Sequence, residues 1–251
     1  MDFKNPKINI IHLEEIPSTN TYAKDLAKEG MEEGTIVIAD RQTQGRGRLG
    51  RSFYSPSGTG IYMSIILKPE DDIKNILLIT TMAAVSVAKS IETVTGKSPL
   101  IKWVNDVYLD GKKVCGILTE GCFKKNSSSL EYAILGIGIN IAKPDTPFPE
   151  DIKNIAGYIL EKDDNNIKKK ITDEVINNFF DLYQHISQKN HLEYYRKKNM
   201  LINKPVNIIQ CDKIIDYGIC EGIDDDLNLL VRKDDHIIKV STGEVSVKER
   251  I

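Results

Sequence analysis

A glycine-rich segment with three arginines is the strongest chemical signal in this 251-residue chain. Residues 45–51 read Gly-Arg-Gly-Arg-Leu-Gly-Arg, and they follow an apolar run at residues 35–39 that predicts a buried strand. Glycine lets a backbone approach a ligand closely, and guanidinium groups suit phosphate and carboxylate. We call residues 45–51 the arginine loop. We expect it to bind a small anion, and we expect its arginines to be unpaired and to repel one another until that anion arrives.

The glycine spacing of the arginine loop matches G-x-G-x-x-G, but the segment that follows it does not fit two nucleotide-binding folds. A dinucleotide fingerprint needs a helix at the third glycine, whereas residues 52–60 have the composition of turns and residues 61–67 predict another strand. A kinase-type flap needs H-R-D and D-F-G motifs downstream, and the sequence has neither. An exposed basic loop that contacts RNA stays open as an alternative at this point.

Two further clusters have groups that could do chemistry. Residues 102–106, Lys-Trp-Val-Asn-Asp, precede the hairpin signal Asp110-Gly111, and Lys113 follows it. This hairpin would bring Asp106 and Lys113 to one pocket edge; the alternative is a turn decorated with solvated charge. Residues 136–140, Gly-Ile-Gly-Ile-Asn, put glycines in a buried strand, which is unfavourable unless a flat ligand, a backbone or a helix packs against them.

Composition and charge argue against several classes of protein. A net charge of −2 and a pI near 6.1 disfavour an extended nucleic-acid surface. We see no signal-peptide core and no segment of about 18 apolar residues that could cross a bilayer, so we expect a cytoplasmic protein. The histidines are scattered and no C-x-x-C occurs, so we expect no protein-ligated metal. The four cysteines are expected to be small buried thiols rather than disulfides; they are Cys115, Cys122, Cys211 and Cys220.

The order of predicted elements indicates an α+β fold. A strand at residues 8–16 is followed by a helix with Ser18 as N-cap and Gly30 beyond its end. A long helix at residues 72–95 should stop at Gly96. Residues 1–200 are expected to form the main domain, and residues 201–251 a small β-barrel-like appendage. Further predicted features are strands at 101–103, 107–109, 113–120 and 132–141, turns at 126–129, 224–226, 233–235 and 242–243, and two or three helices after residue 141.

Taken together, these clusters resemble the biotin protein ligases over nearly the whole chain. The resemblance implies a central mixed β-sheet flanked by helices, as in class II aminoacyl-tRNA synthetases and the biotin–lipoate ligases, with a C-terminal SH3-like β-barrel. Val104 stands where the family usually has proline, which should loosen that corner, and Leu49 replaces a residue that is sometimes basic. The matching residues are Ser18-Thr19-Asn20, Gln42, the arginine loop, Lys102-Trp103-x-Asn105-Asp106, Lys113 with Gly116, Gly136-x-Gly138-x-Asn140, and Gly243-Glu244-Val245-Ser246-Val247.

The resemblance also implies an activity, that of a biotin–[acetyl-CoA-carboxylase] ligase. Such an enzyme uses ATP with Mg²⁺ to form biotinyl-5′-AMP and transfers biotin to a lysine of a biotin carboxyl carrier protein. The implied catalytic residues are Lys113, Arg48 and Asp106. The implied biotin site comprises Ser18, Thr19, Asn20, Gln42, Gly45, Arg46, Gly47, Arg48, Lys113 and Gly116. The implied ATP site comprises Arg48, Arg51, Lys102, Asn105, Asp106, Lys113, Gly136, Gly138 and Asn140.

The same resemblance sets expectations about partners. The chain has no room for the winged helix-turn-helix of bifunctional members, so we expect the monofunctional class, without DNA binding or membrane association. A homodimer formed side by side through the central sheet is expected. A lipoate ligase of related fold is the alternative enzyme, and the Lys102-Trp103-x-Asn105-Asp106 pattern favours biotin over lipoate.

Overall fold

A computed structural model of the chain describes residues 6–69, 74–125, 129–241 and 245–249. Its elements follow the α+β order expected from the sequence. They are β1 (Asn9–Ile16), α1 (Thr19–Lys28), β2 (Thr35–Gln42), β3 (Gly60–Leu67), α2 (Lys74–Thr95), β4 (Leu100–Lys102), β5 (Asp106–Leu109), β6 (Lys112–Phe123), β7 (Leu130–Asn140), α3 (Asn165–Gln184), α4 (Leu192–Lys197), β8 (Pro205–Gln210), β9 (Lys213–Ile223), β10 (Leu229–Lys233), β11 (His236–Val240) and β12 (Val245–Glu249).

The main part is built on a seven-stranded sheet in the order β1-β2-β3-β7-β6-β5-β4. β1 and β2 are parallel and joined through α1, and the other neighbours are antiparallel, so the sheet is mixed as predicted. Successive strand residues point to opposite faces. Val37 therefore packs with Ala23 of α1, whereas Ile36 packs in the larger core with α2 and α3.

Local signals place the ends of the helices and one hairpin. Ser18 caps α1, since its side chain accepts a hydrogen bond from the amide of Thr21 at 3.5 Å. Gly30 and Gly96 follow α1 and α2 with φ of 91° and 69°, the left-handed conformation that glycine adopts without strain. Asp110 and Gly111 have φ of 50° and 76°, as a type I′ hairpin turn requires. These predictions are confirmed; the predicted start of α2 at residue 72 lies outside the described residues.

The helix α2 departs from one expectation. Its segment Ile76–Thr95 has a hydropathy of 1.4 and is long and apolar enough by composition to cross a membrane, so the expectation that no segment has this character is wrong. However, 72% of that window is buried within the protein. The helix packs against α3 and β6. A buried core helix meets the same criteria, and we interpret α2 in that way.

The C-terminal part is a five-stranded antiparallel sheet in the order β11-β10-β9-β8-β12, which confirms the predicted small β-domain. Its turn at residue 234 has φ of 50°, as expected of a tight turn. The turn predicted at 126–129 lies outside the described residues except for residue 129, and the turn predicted at 242–243 lies outside them entirely. Val206, Leu229 and Val231 belong to the same apolar core as the main sheet. The indole Nε1 of Trp103 donates to the carbonyl of Leu227 at 2.9 Å in buried surroundings. A boundary near residue 201 stays a prediction, but the two parts share one core.

The cysteines are all free thiols. Cys115 and Cys220 are buried and Cys122 is half-buried, broadly as expected. Cys211 is exposed in the turn between β8 and β9, where its φ of 48° suits the turn, so the prediction of a buried thiol is wrong there.

A buried histidine gives the fold a defined pH dependence. His191 is 1% exposed and its Nε2 lies 2.8 Å from the hydroxyl of Thr81 on α2. Burial, helped by the nearby charge of Lys189, lowers the pKa of His191 to about 4. Because an unfolded histidine titrates near ~6.5, the unfolded chain binds the proton first as pH falls. The stability that neutral His191 contributes should therefore be fully present above pH ~6.5. Below it, the free energy of unfolding should fall by up to about 1.4 kcal/mol per pH unit towards pH ~4.

Urea unfolding at a series of pH values tests this expectation. The slope of unfolding free energy between about pH 6.5 and 4.5 should be shallower in His191→Gln than in the wild type. His185→Gln, which alters an exposed histidine, is the control and should keep the wild-type slope. Equal slopes in all three proteins would contradict a neutral buried His191.

Candidate active site

One cavity brings the predicted clusters together. It has a volume of about 540 Å³ and is bordered by the start of α1, the arginine loop, the β4–β5 corner, strands β6 and β7, and a segment at residues 148–156. Gly45 is the predicted residue that does not line it: a Cβ there would lie 2.3 Å from the carbonyl oxygen of Phe53, which explains the glycine. The predicted residues that do line it are Ser18, Thr19, Asn20, Gln42, Arg46, Gly47, Arg48, Arg51, Lys102, Asn105, Asp106, Lys113, Gly116, Gly136, Gly138 and Asn140.

A network of uncharged polar groups surrounds the α1 end of the cavity. The backbone amide and hydroxyl of Thr19 both donate to Gln42 Oε1, at 2.8 and 3.0 Å. Gln42 Nε2 donates in turn to Ser55 Oγ at 3.0 Å. The buried hydroxyl of Ser64 lies 2.6 Å from Asn20 Oδ1. These side chains are held in place before any ligand arrives, as a site for a neutral polar group requires.

Hydrogen bonds within the arginine loop and at its end join its two sides. The amide of Gly47 donates to the carbonyl of Arg51 at 2.7 Å, and residues 46 and 52 form an isolated antiparallel bridge. Arg46 forms an ion pair with Glu120 at 3.1 Å, and Arg48 donates to Asn105 Oδ1 at 3.1 Å. The expectation that the arginines are unpaired is therefore wrong for these two, because β6 and the β4–β5 corner supply acceptors far away in sequence.

The β4–β5 corner and the β5–β6 hairpin place charged groups against one another. Lys113 Nζ lies 2.7 Å from Asp106 Oδ1, which confirms that the hairpin brings these two residues together. The amide and carbonyl of Lys113 both bond to the segment at residues 155–157, at 2.7 and 2.8 Å. Asn105 Nδ2 donates to the carbonyl of Ile117 at 2.8 Å. This corner is consequently a rigid support for its side chains.

Val104 lies inside this corner, and the expectation that it loosens the corner stays a prediction. It is 2% exposed, and its carbonyl accepts a hydrogen bond from the hydroxyl of Tyr195 at 3.0 Å. The peptide bond between Trp103 and Val104 is cis. Tyr195 on α4 and Leu227 in the C-terminal part thus hold the corner from behind.

Burial and charge shift several pKa values around Asp106. Burial lowers the pKa of the Arg48 guanidinium, Asp106 opposes that effect, and Arg51 adds to it. Burial and the negative charge of Asp106 raise the pKa of Tyr108 to about 12 and that of Tyr195 well above its ordinary value. Both phenols are therefore neutral at physiological pH and act as hydrogen-bonding or packing groups.

The glycines of β7 and β6 make room for side chains. A Cβ on Gly136 would lie 2.0 Å from Asn20 Oδ1, and one on Gly138 would lie 2.5 Å from the ring of Phe53. A Cβ on Gly116 would lie 3.2 Å from the same ring. The bare backbone is thus explained by close approach of α1 and of Phe53; the predicted contact of this strand with adenine stays a prediction.

In the part of the chain that the structure describes, no three His, Cys, Asp or Glu side chains are grouped so that they could hold a metal ion together. Asp106 and Asp151 are the carboxylates in the cavity wall, and Asp106 is already paired with Lys113. We therefore derive no metal centre from these residues.

Family models match both parts of the chain. Residues 13–140 match the biotin/lipoate A/B protein ligase family, and residues 201–248 match the biotin protein ligase C-terminal domain. The chain belongs to the biotin protein ligase family. A bifunctional ligase/repressor BirA of Bacillus spizizenii is 41% identical over 148 residues, which are 59% of this chain and 45% of that protein. The matched region thus spans less than half of that relative's length.

Two matches extend over most of the chain. A biotin–[acetyl-CoA-carboxylase] ligase of Mycobacterium tuberculosis is 26% identical over 243 residues, 91% of this chain and 85% of that protein. The solved structure of a biotin protein ligase from Aquifex aeolicus in complex with biotin and ATP is 30% identical, with a TM-score of 0.80, and the match covers 96% of this chain and 99% of the other. The biotin ligase fold predicted from the sequence is confirmed.

Sequence reasoning missed several residues of this biotin ligase site. Phe53 covers the glycine strand, and Tyr54 meets Phe148 edge to face with ring centroids 6.1 Å apart. The segment at residues 148–156 closes one side of the cavity; it follows β7, where only helices were predicted from the sequence. Asn140 Nδ2 donates to the carbonyl of Gly157 at 2.9 Å and so anchors the end of this segment. Among these, Phe53, two residues after the arginine loop, was the one signal that could have been used.

Proposed function

We propose that this protein activates biotin with MgATP as biotinyl-5′-AMP and transfers it to a lysine of a biotin carboxyl carrier protein. The observation that supports this most is the division of the cavity into two ends. Uncharged polar groups of Thr19 and Gln42 lie at the α1 end, whereas Arg48 and Lys113 lie at the corner end. A neutral cyclic urea suits the first end, and a carboxylate next to a phosphate suits the second.

In the first step, a carboxylate oxygen of biotin attacks the α-phosphorus of ATP, the bond to the β-phosphate oxygen breaks, and pyrophosphate leaves. Two anions must meet, so the site has to neutralise negative charge as it develops. Arg48 and Lys113 supply fixed positive charge there, with Arg51 and Lys102 in the same wall. Ser18, Asn20 and Arg46 orient the ureido end together with Thr19 and Gln42. Mg²⁺ enters with the phosphates as part of the substrate.

In the second step, the carrier lysine attacks the carbonyl carbon of the mixed anhydride, and AMP leaves with the bonding electrons. The attacking amine must first lose a proton. Asp106 is the one carboxylate among the three predicted catalytic residues, and its Oδ1 lies 2.7 Å from Lys113 Nζ. We assign it the role of accepting that proton or orienting the amine.

Mass spectrometry of a carrier domain tests this proposal. Incubation with the protein, biotin and MgATP should add one biotinyl group to one lysine, and lipoate in place of biotin should add nothing. A carrier whose acceptor lysine is replaced by arginine is the control. Transfer of lipoate but not biotin would replace the proposal with lipoate ligation.

The arginine loop is expected to order over the adenylate and to retain it. Closure would exclude water from a hydrolysable anhydride until the carrier lysine enters. Arg48→Gly removes the contact to Asn105, so the variant should release free biotinyl-AMP and label bystander lysines. Protease nicking within the loop should also fall when biotin and ATP are added. Equal protection with and without ligand, and no bystander labelling by Arg48→Gly, would contradict this role.

We further propose a cytoplasmic protein that forms a homodimer and acts without DNA. Four free thiols support a reducing compartment. β1 ends the sheet, and its outer edge is unpaired within the described chain, with Ile10 52% exposed. A second copy could pair there. The net charge of −2 supports the absence of a DNA-binding role.

Analytical ultracentrifugation of the wild type and of Ile10→Lys tests the dimer. The lysine introduced at the β1 edge should weaken dimerisation.

A further inference from the structure

Glu120 of β6 joins two residues of the proposed biotin site from behind the cavity wall. Its Oε2 accepts hydrogen bonds from Asn20 Nδ2 at 3.0 Å and from Arg46 Nη1 at 3.1 Å. Its Oε1 lies 3.1 Å from Arg46 Nη2, so the guanidinium is held by two parallel contacts. The Glu120 side chain is 21% exposed, and it belongs neither to the resemblance nor to the cavity wall.

This carboxylate determines what Asn20 and Arg46 can offer a ligand. The amide nitrogen of Asn20 is directed to Glu120, and its oxygen is directed to Ser64 at 2.6 Å. Both terminal nitrogens of Arg46 bond to the Glu120 carboxylate. These are the nitrogens that would otherwise bind a carboxylate or phosphate of a ligand. The α1 end thus combines a positive and a negative charge that cancel at short range.

The other end of the cavity has a different balance. Arg48 and Lys113 lie there beside Asp106, and Arg51, Lys102 and Asp151 are further charged residues of the cavity wall. A carboxylic acid can therefore enter in two directions, and the charges distinguish them. With its carboxylate at the α1 end, the acid would meet an Arg46 whose charge is already paired with Glu120.

We propose that Glu120 is a positioning residue that makes the α1 end selective for a neutral, hydrogen-bonding head group and unfavourable for a carboxylate. It thereby determines the direction in which the acid binds and helps to discriminate biotin from simple fatty acids. The inference rests on the proposed function, since it concerns the head group of the same acid. It adds a residue that acts through Asn20 and Arg46 rather than by touching the ligand.

Two probes separate the two ends of the ligand. Biotinol keeps the urea but has no carboxylate, and octanoate has the carboxylate without the urea. In Glu120→Gln the amide cannot hold Asn20 and both nitrogens of Arg46, so calorimetry should show biotinol binding weakened about tenfold or more. Octanoate should inhibit adenylate formation several-fold more strongly, because Arg46 becomes available to its carboxylate.

Controls keep this test specific. Glu221→Gln removes another ion-paired carboxylate, the partner of Arg232 on the C-terminal sheet, and should leave both probes unchanged. Adding Arg46→Gln to Glu120→Gln should abolish the gain in octanoate inhibition. Thermal unfolding confirms that each variant is folded.

Several outcomes would overturn the inference. Unchanged binding of both probes by folded Glu120→Gln would do so, and so would equal weakening of both, which a purely structural role would produce. Wild-type protein that binds neither biotin nor biotinol would overturn the proposed function itself, and the role of Glu120 with it. If the wild type binds biotin but Glu120→Gln shows neither weaker biotinol binding nor stronger octanoate inhibition, the role of Glu120 alone is overturned.

Discussion

Lys113→Ala is expected to lower the rate of adenylate formation by about 10²-fold or more while leaving the protein folded. Removing one charged group that stabilises developing negative charge typically costs a few kcal/mol of transition-state stabilisation. Lys113 is well placed for this role, because hydrogen bonds on both sides of its backbone fix its position and Asp106 holds its ammonium group at 2.7 Å. Its side chain is 28% exposed, so its loss leaves no large cavity.

Single-turnover formation of labelled adenylate measures this effect. Lys112→Ala is the matched control: its neighbouring ammonium donates to the carbonyl of Asn154 at 2.7 Å on the outside of the hairpin, and the variant should react at nearly the wild-type rate. If folded Lys113→Ala forms adenylate at a near-normal rate, Lys113 has no part in the mechanism.

Removing residues 204–251 is expected to prevent stable folding rather than to leave a biotin-binding main domain. Val206, Ile208 and Val231 of the C-terminal sheet are 3% exposed or less and belong to the main core. Burying one such side chain contributes about 1.5–3 kcal/mol. Losing several of them would therefore remove an amount comparable to the ~5–15 kcal/mol by which a domain is stable. Trp103 would also lose its partner at Leu227.

Circular dichroism during heating and biotin calorimetry test this prediction. The shortened chain should show no cooperative transition and no biotin binding. Trp103→Phe removes a single buried hydrogen bond from the full chain, so it should stay folded with a transition a few degrees lower. A shortened chain that unfolds cooperatively and binds biotin with wild-type affinity would show that the main part folds alone.

Sequence could predict the features that depend on neighbouring residues. Ser18 caps its helix through a bond within one turn, and Asp110-Gly111 forms its hairpin because two adjacent residues tolerate positive φ. The cavity residues named from the family motifs, apart from Gly45, do come together. Local chemistry and motif spacing are sufficient for such features.

The features that sequence missed depend on contacts between distant residues. Arg46 meets Glu120, 74 residues away, so the sequence showed an unpaired charge where the fold places an ion pair. The space beside Gly138 is filled by Phe53, and the main core continues into the C-terminal sheet. Each of these follows from strand order and packing, which a local pattern does not encode.

Pyrophosphate release in the absence of any carrier tests the central claim most directly. The wild type should release pyrophosphate from MgATP when biotin is added, in an amount near one equivalent per protein, because the adenylate stays in the cavity. Lipoate in place of biotin, or no acid, should give none. Release that is independent of biotin, or no release with biotin present, would contradict the assignment of this cavity to biotin activation.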